Sequence, residues 1–145
     1  MPEARTLVAV AADGRVLVLD EPLSFWGGVD PGTGDIIDPR HPQRGANVAG
    51  RILVMSSGRG SSSSSSVLAE AIRAGTAPAA IVMGEADPIL ALGAIVAREL
   101  YGSTIPVVVT AESALRTDDL ATVRADGTGV ELRGRGPGHP PARRR

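Results

Sequence analysis

The sequence predicts one α/β domain in which a parallel β-α-β-α-β core is flanked by two hairpins. Between residues 51 and 109, three short apolar runs alternate with two stretches of helical periodicity, a pattern typical of parallel strands joined by helical crossovers. β-type runs around Asp-Gly pairs stand on either side of this core and indicate antiparallel additions, so the sheet is predicted to be mixed. The chain has 145 residues, of which 43% are apolar, enough for the core of one domain.

The first part of the chain combines a strand pair with a long loop. Residues 6–10 and 15–19 are β-type runs, and Asp13-Gly14 between them is a favoured hairpin turn. Residues 21–47 are so rich in glycine and proline that long regular elements are excluded. The adjacent Phe25 and Trp26, together with other apolar residues, nevertheless indicate that this loop is ordered.

The core elements follow from apolar periodicity and from their capping residues. Five are predicted, namely a strand at 51–54, a helix at 67–74, a strand at 79–83, a helix at 88–102 and a strand at 105–109. Gly75 is a fitting C-terminal cap for the first helix. Asp87 is a fitting N-cap for the second helix, with Pro88 at its first position.

The end of the chain predicts a hairpin and a tail. Two elements follow the core, namely a short helix at 113–120 and a closing hairpin of residues 122–124 and 129–132. Residues 134–145 are rich in Gly, Pro and Arg, which predicts a disordered tail. The domain is therefore predicted to comprise residues 1–133.

Composition excludes several functional classes. The formal net charge is −1, so no strong field favours nucleic acid or a membrane surface. The chain has neither lysine nor cysteine, which excludes Schiff-base chemistry, cysteine nucleophiles and thiolate metal ligands within it. His41 and His139 lack neighbours at ligand spacing, so we expect no metal site built by this chain alone. No run approaches the ~20 apolar residues of a membrane span, and the start does not resemble a signal peptide, so we expect a cytoplasmic protein.

The serine run at 61–66, entered through Gly58-Arg59-Gly60, is the main candidate site. A loop that leads from a strand into a helix N-terminus gathers free backbone N–H groups and the positive end of the helix dipole. The glycines allow close backbone approach, and Arg59 adds a cation with bidentate geometry. The pattern favours an anion-binding site formed by Arg59, Gly60 and Ser62 over a loop whose serines only cap the helix.

A serine of this run is also a candidate catalyst. A hydroxyl acts as a base only where its alkoxide is stabilised, and a helix N-terminus beside an arginine favours that anion. The Gly-x-Ser-x-Gly spacing of hydrolases is absent. His41, the only plausible histidine partner, precedes Pro42 in a turn, so a hydrolase triad has little support.

The early loop holds a second constellation around Gly28 and Asp30. Paired glycines beside an aspartate and aromatic residues suit close contact with a small ligand or a partner subunit. They equally suit a turn held by aspartate hydrogen bonds, with the aromatics in the core. The residues alone do not decide between these interpretations. The acidic residues Glu85 and Asp87 are interpreted more simply as a strand-to-helix turn with a cap.

Taken together, these segments resemble a known family, the small subunit or swivel domain of aconitase X. The resemblance lies in ordered blocks, namely residues 23–31, Thr33-Gly34, residues 36–38, His41-Pro42, and residues 57–62, 75–81 and 87–94. It covers roughly residues 14–110. It implies the aconitase-type swivelling fold, a β/β/α barrel-like domain with a mixed sheet and two main helices.

The resemblance also implies a function. A separate large subunit would carry the iron–sulfur or iron centre, and the pair would act as a heterodimeric hydro-lyase. The substrate would be a small carboxylate, either mevalonate 5-phosphate or cis-3-hydroxy-L-proline. The serine after the Gly-Arg-Gly turn, here Ser61, would accept the proton, with Arg59, Gly60, Ser62, Gly28 and Asp30 as substrate-binding residues. The alternative is a non-catalytic module that binds an anion or stabilises a partner subunit.

Overall fold

The structure is a computed structural model, and it describes residues 4–8, 10–58, 62–110, 115–125 and 130–135. The strands are β1 (Ala4–Val8), β2 (Ala12–Val18), β3 (Arg51–Met55), β4 (Ala80–Met83), β5 (Val107–Thr110), β6 (Leu120–Ala125) and β7 (Val130–Arg135). The helices are α1 (Phe25–Gly28), α2 (Ser64–Ala74) and α3 (Pro88–Tyr101). α1 is a single turn, so α2 and α3 are the two main helices that the sequence predicts.

The seven strands form one mixed sheet in the order β1-β5-β4-β3-β2-β6-β7. β2, β3, β4 and β5 are parallel to one another, whereas β1 pairs antiparallel with β5, β6 with β2, and β7 with β6. The edge strands β1 and β7 approach each other, so the sheet curls toward a barrel. The predicted α/β fold, with its parallel β-α-β-α-β centre and its antiparallel additions, is confirmed.

Apolar side chains fill both faces of this sheet. One cluster joins residues such as Leu53 and Met83 to the buried faces of α2 and α3 and to the long loop. The other cluster lies on the opposite face and includes Val16, Ile52, Val82 and Val123. Because successive strand residues point to opposite faces, the continuous apolar runs of β3 and β4 supply both clusters.

The caps of the main helices match the predictions. The Asp87 carboxylate accepts the Ile89 and Leu90 N–H groups at 2.9 and 3.4 Å, and Pro88 begins α3. Gly75 and Gly102 close α2 and α3 with φ of 81° and 72°, the left-handed conformation that glycine adopts without strain. α2 begins three residues earlier than predicted, at Ser64, because the end of the serine run is itself helical.

The first predicted hairpin is wrong. Asp13 and Gly14 lie inside β2, paired with β6, and β1 pairs with β5 at the other side of the sheet. Residues 115–119 are coil and turn, so the short helix predicted at 113–120 is wrong there, and residues 113 and 114 lie outside the described range. The C-terminal hairpin is confirmed as β6 and β7. β7 continues to Arg135, and residues 136–145 lie outside the described range.

Candidate functional site

The carboxyl edge of the parallel strands brings three loop segments together. Leu19, just after β2, donates its N–H to Val54 of β3 at 2.8 Å, and Leu23 further along forms a parallel bridge with Gly58. The segment after β4 joins them, since the Glu85 N–H donates to the carbonyl of Ser56 at 3.0 Å. Residues 19–24, 56–58 and 84–87 therefore share one end of the sheet, where parallel α/β folds place their sites.

The serine run leads from this edge into α2. Ser62 and Ser63 form a turn, α2 begins at Ser64, and the Ser65 hydroxyl donates to the Ser62 carbonyl at 2.9 Å. A helix of 11 residues directs the positive end of its dipole toward the preceding loop. The predicted strand-to-helix setting of the run is thus confirmed.

Three of the candidate residues lie outside the part of the chain that the structure describes. Arg59, Gly60 and Ser61 lie outside the described residues, between Gly58 at the edge of the sheet and Ser62 in the turn before α2. Their assignment as anion ligands and base stays a prediction. Ser62 is described and exposed, so its hydroxyl is open to a ligand.

Asp87 contacts the entrance of the serine loop as well as capping α3. A Cβ built on Gly58 would fall on the Asp87 carboxylate, so any larger residue at this position would displace that carboxylate. The predicted capping role is confirmed, but the contact with Gly58 is missed by sequence reasoning. Nothing in the local sequence links residues almost thirty positions apart; only the pairing of β3 with β4 brings them together.

The contacts that the structure shows for Gly28 and Asp30 are with other residues of the early loop. Gly28 is buried, with Leu23 against it, and its carbonyl accepts the Ile37 N–H at 2.9 Å. The Asp30 carboxylate accepts the Gly32 N–H at 2.8 Å, a turn held by the aspartate side chain. Leu23 touches Gly28 and pairs with Gly58, so the early loop lies directly beside the serine loop.

The adjacent aromatic residues of α1 have opposite environments. Phe25 is fully buried, whereas the Trp26 side chain is 58% exposed. The backbone of Trp26 is nevertheless attached to α2, because its N–H donates to the Ser64 hydroxyl at 3.2 Å. The sequence does not reveal this link between the early loop and the serine run.

His41 has a structural role in the long loop. The ring is buried, and its Nδ1 accepts the Gln43 N–H at 3.0 Å. The Nε2 therefore carries the proton and donates to the carbonyl of Glu21 at 3.0 Å. Both ring nitrogens thus form hydrogen bonds with backbone groups, which agrees with the interpretation that a hydrolase triad has little support.

One ion pair changes a pKa, and it lies along α2 away from its N-terminus. The Arg73 guanidinium hydrogen-bonds the Glu70 carboxylate and lowers the pKa of Glu70. Both side chains are exposed and three residues apart on the helix surface, so the pair is a solvated contact of α2.

The described residues offer no cluster suited to a metal ion. No group of three or more His, Cys, Asp or Glu side chains with that arrangement occurs among them. Among the described carboxylates, Asp87 caps a helix and Asp30 holds a turn. None of the helices in the described ranges has the length and apolar character that a membrane span requires.

The curled mixed sheet with two helices on one face and a strand-to-helix loop at its carboxyl edge defines a swivelling α/β domain. The sequence model of the aconitase X swivel domain matches residues 2–132, and the chain belongs to this family. The predicted family and the swivelling fold are confirmed.

Individual relatives fall into two architectures. The cis-3-hydroxy-L-proline dehydratase of Pseudomonas aeruginosa is 52% identical over 81% of this chain, but the match is only 20% of that protein. The phosphomevalonate dehydratase small subunit of Thermococcus kodakarensis is 41% identical, over 90% of this chain and 94% of the relative. The chain therefore spans about a fifth of the first relative and nearly all of the second.

The fold is also found among solved structures. The crystal structure of holo aconitase X from Thermococcus kodakaraensis superposes with a TM-score of 0.79 at 40% identity. The superposition covers 90% of this chain and 96% of that one.

Proposed function

We propose that this chain is the proton-accepting small subunit of a hydro-lyase that dehydrates a small hydroxy acid. The observation that carries the proposal is the serine loop, which leads from β3 into the N-terminus of α2 at the carboxyl edge of an aconitase X swivel domain. The names of the relatives support the reaction class, since they are dehydratases or dehydratase small subunits.

Ser61 is proposed as the base. Its alkoxide would be favoured by the dipole of α2 and by Arg59, and it would take a proton from the carbon next to the one that loses hydroxide. Arg59, Gly60 and Ser62 would hold the substrate carboxylate through a guanidinium, backbone N–H groups and a hydroxyl. The described start of α2 and the exposed Ser62 support this arrangement.

Gly28 and Asp30 are proposed as part of the substrate-binding wall. Support comes from the contact of Leu23 with Gly28 and its pairing with Gly58, which put the early loop beside the serine loop. The Asp30 carboxylate already accepts one hydrogen bond, from Gly32, and has further lone pairs for a ligand.

Two substrates fit the proposal, namely cis-3-hydroxy-L-proline and mevalonate 5-phosphate. Each carries a carboxylate for Arg59 and a hydroxyl that can leave as the neighbouring C–H loses its proton. Relatives of both kinds exceed 40% identity, so similarity to either kind does not choose between them.

The catalytic partner is proposed to be a large aconitase X subunit that holds the iron or iron–sulfur centre. The donor set of this chain does not suit such a centre, since it has no cysteine and its described residues offer no group of three or more His, Cys, Asp or Glu side chains that could hold a metal ion. The relative in which this domain is 20% of a longer protein supports a much larger companion. A cytoplasmic location stays a prediction.

The experiment is a dehydration assay of the purified two-subunit complex on both substrates, with wild-type chain and with Ser61→Ala. We expect turnover of one substrate by the wild type and a loss of at least about a hundredfold in kcat for the variant, because a positioned base contributes on the order of 10²–10⁴. Size-exclusion chromatography should show the same complex for both. Iron, measured in each separated chain, should be found in the large subunit.

Near-normal turnover by Ser61→Ala would remove this serine from the mechanism. A complex that assembles, contains iron and dehydrates neither substrate would instead favour a non-catalytic module that binds an anion or stabilises its partner.

A further inference from the structure

Three groups form a closed ring of hydrogen bonds between the early loop and the first turn of α2. The Ser24 hydroxyl lies 2.9 Å from the carbonyl of Trp26 and 3.3 Å from the Ser64 hydroxyl. The backbone N–H of Trp26 lies 3.2 Å from the same Ser64 oxygen. The two serines are forty positions apart in the sequence, so this ring is a tertiary link.

The donors in the ring follow from elimination. The Trp26 carbonyl can only accept, so the Ser24 hydroxyl donates to it. The proton between the two serines must then come from Ser64, which donates to Ser24 and accepts from the Trp26 N–H. Each hydroxyl donates once and accepts once, so the ring satisfies every group that it contains.

Burial makes the Ser64 hydroxyl costly to remove. The residue is 3% exposed, and water cannot easily replace its oxygen. Without that oxygen the Trp26 N–H would lose its acceptor inside the protein, the most expensive way to break a hydrogen bond. In contrast, Ser66 belongs to the same run and the same helix turn, but it is exposed.

The ring also fixes an aromatic side chain beside the serine loop. The Trp26 indole is 58% exposed although its backbone is held at both its N–H and its carbonyl. Gly27 follows with φ of 78° and open space around it, so the chain turns sharply away after Trp26. The indole is therefore presented to the outside from an anchored backbone.

We propose that Ser64 is a positioning residue that, through Ser24 and Trp26, sets the orientation of the first turn of α2. The inference rests on the proposed function, because the dipole of α2 is proposed there to stabilise the alkoxide of Ser61. It divides the serine run by role, since Ser64 orients the helix that stabilises the base, whereas Ser66 is a solvated helix residue.

The first experiment uses the chain alone and needs no catalysis. Trp26 is the only tryptophan of the chain, so its fluorescence reports on the ring directly. We expect Ser64→Ala and Ser24→Ala to change the emission maximum and to increase acrylamide quenching, while Ser66→Ala matches the wild type. A Ser64→Ala spectrum identical to that of wild type would overturn the proposal.

The second experiment measures kcat and KM of the two-subunit complex. We expect Ser64→Ala to lower kcat by at least about tenfold with a smaller change in KM, because a misoriented base affects the transition state more than substrate binding. Ser64→Thr, which keeps the hydroxyl, should recover most of the activity, and Ser66→Ala should retain all of it. Unchanged kcat for Ser64→Ala beside an altered Trp26 spectrum would overturn the positioning role.

The two proposals can fail separately. If the wild-type complex dehydrates neither substrate, the proposed function fails, while the fluorescence of the isolated chain still decides whether Ser64 holds Trp26. If Ser64→Ala does not fold, Ser24→Ala breaks the same ring at its less buried serine and takes its place in both measurements.

Discussion

Gly34 shows how one missing Cβ fixes the early loop to the helix layer. Its φ is 84°, and a Cβ built there would lie 2.7 Å from the carbonyl oxygen of Thr76, just beyond α2. The Thr76 hydroxyl in turn donates to the Pro31 carbonyl at 2.6 Å. The loop and the end of α2 thus meet backbone to backbone, a contact that only glycine permits.

Gly34→Ala is expected to destabilise the chain by roughly 2–4 kcal/mol, from left-handed backbone strain and from the clash with Thr76. Gly45→Ala is the matched control, since its φ is 94° but nothing lies within 4 Å of its Cβ. That variant should lose only about 1–2 kcal/mol. Urea unfolding followed by circular dichroism gives both values, and equal losses would mean that the Thr76 contact does not matter.

Single residues were predictable where their role is local. Asp87 and Pro88 indicate the start of a helix because the Asp87 carboxylate caps the N–H groups two and three residues away. The Ser64–Trp26 bond and the Asp87–Gly58 contact join segments distant in sequence, so no local pattern encodes them. Among the candidate site residues, the sequence locates the loop and its helix, whereas the neighbours of that loop come from the fold.

At the scale of elements, the packing of α2 on α3 depends on Gly93. A Cβ at Gly93 would lie 2.7 Å from the Ser65 carbonyl oxygen and 3.2 Å from the Leu68 Cβ. The two helices therefore approach each other closely at the first turn of α2, next to the serine loop. The packing of the two helices at this point therefore also helps to position the helix end that adjoins the candidate site.

Gly93→Ala should lower the free energy of unfolding by about 1–3 kcal/mol, because the added methyl group pushes the helices apart. The sign is diagnostic, since alanine in an open helix would raise stability by about 1 kcal/mol. Thermal unfolding of the two proteins measures the difference. A more stable variant would show that the helices do not meet at Gly93 as described.

The Asp13-Gly14 hairpin is the element that sequence reasoning misjudged. The pair is typical of a two-residue turn, but here β6 supplies Thr122 and Ala121 as partners for these residues. Gly14 has a local reason of its own, since a Cβ would lie 2.6 Å from the Gly50 carbonyl oxygen. Position 14 is therefore a glycine because another backbone segment approaches it closely, and not because a turn requires one.

At the scale of the whole molecule, the described surface includes an apolar groove between β1 and α3 that begins next to the site. It is lined by Leu7, Ala86, Pro88, Ala91, Leu92 and Ile95. Ala86 and Pro88 flank Asp87, whose carboxylate contacts Gly58. Because this groove is apolar and adjoins the entrance of the serine loop, we expect it to belong to the interface with the proposed large subunit.

Leu92→Asp should therefore weaken assembly with the large subunit by at least about tenfold in Kd, since a carboxylate would be buried in an apolar contact. Leu100→Asp on the same helix is the control, because Leu100 is even more exposed, at 67% against 51%, but lies outside the groove. Isothermal titration gives both constants. Equal affinities for the two variants would place the interface elsewhere.

The central architecture was predictable because apolar periodicity and helix caps act within a few residues of one another. The order of the outer strands was not predictable in this way, since β1 pairs with β5 and not with the next strand in the chain. The curling of the sheet was equally unpredictable from local patterns, because it depends on how β6 and β7 pair at one side of the sheet.

The pairing of β1 with β5 has a consequence for how the protein is made. Ala4 lies opposite Thr110, so β1 is synthesised more than a hundred residues before its partner strand exists. In the meantime β2, β3 and β4 can assemble with α2, since each is parallel to the next. β1 can therefore join that side of the sheet only after β5 has been made, which makes this pairing a late step of folding.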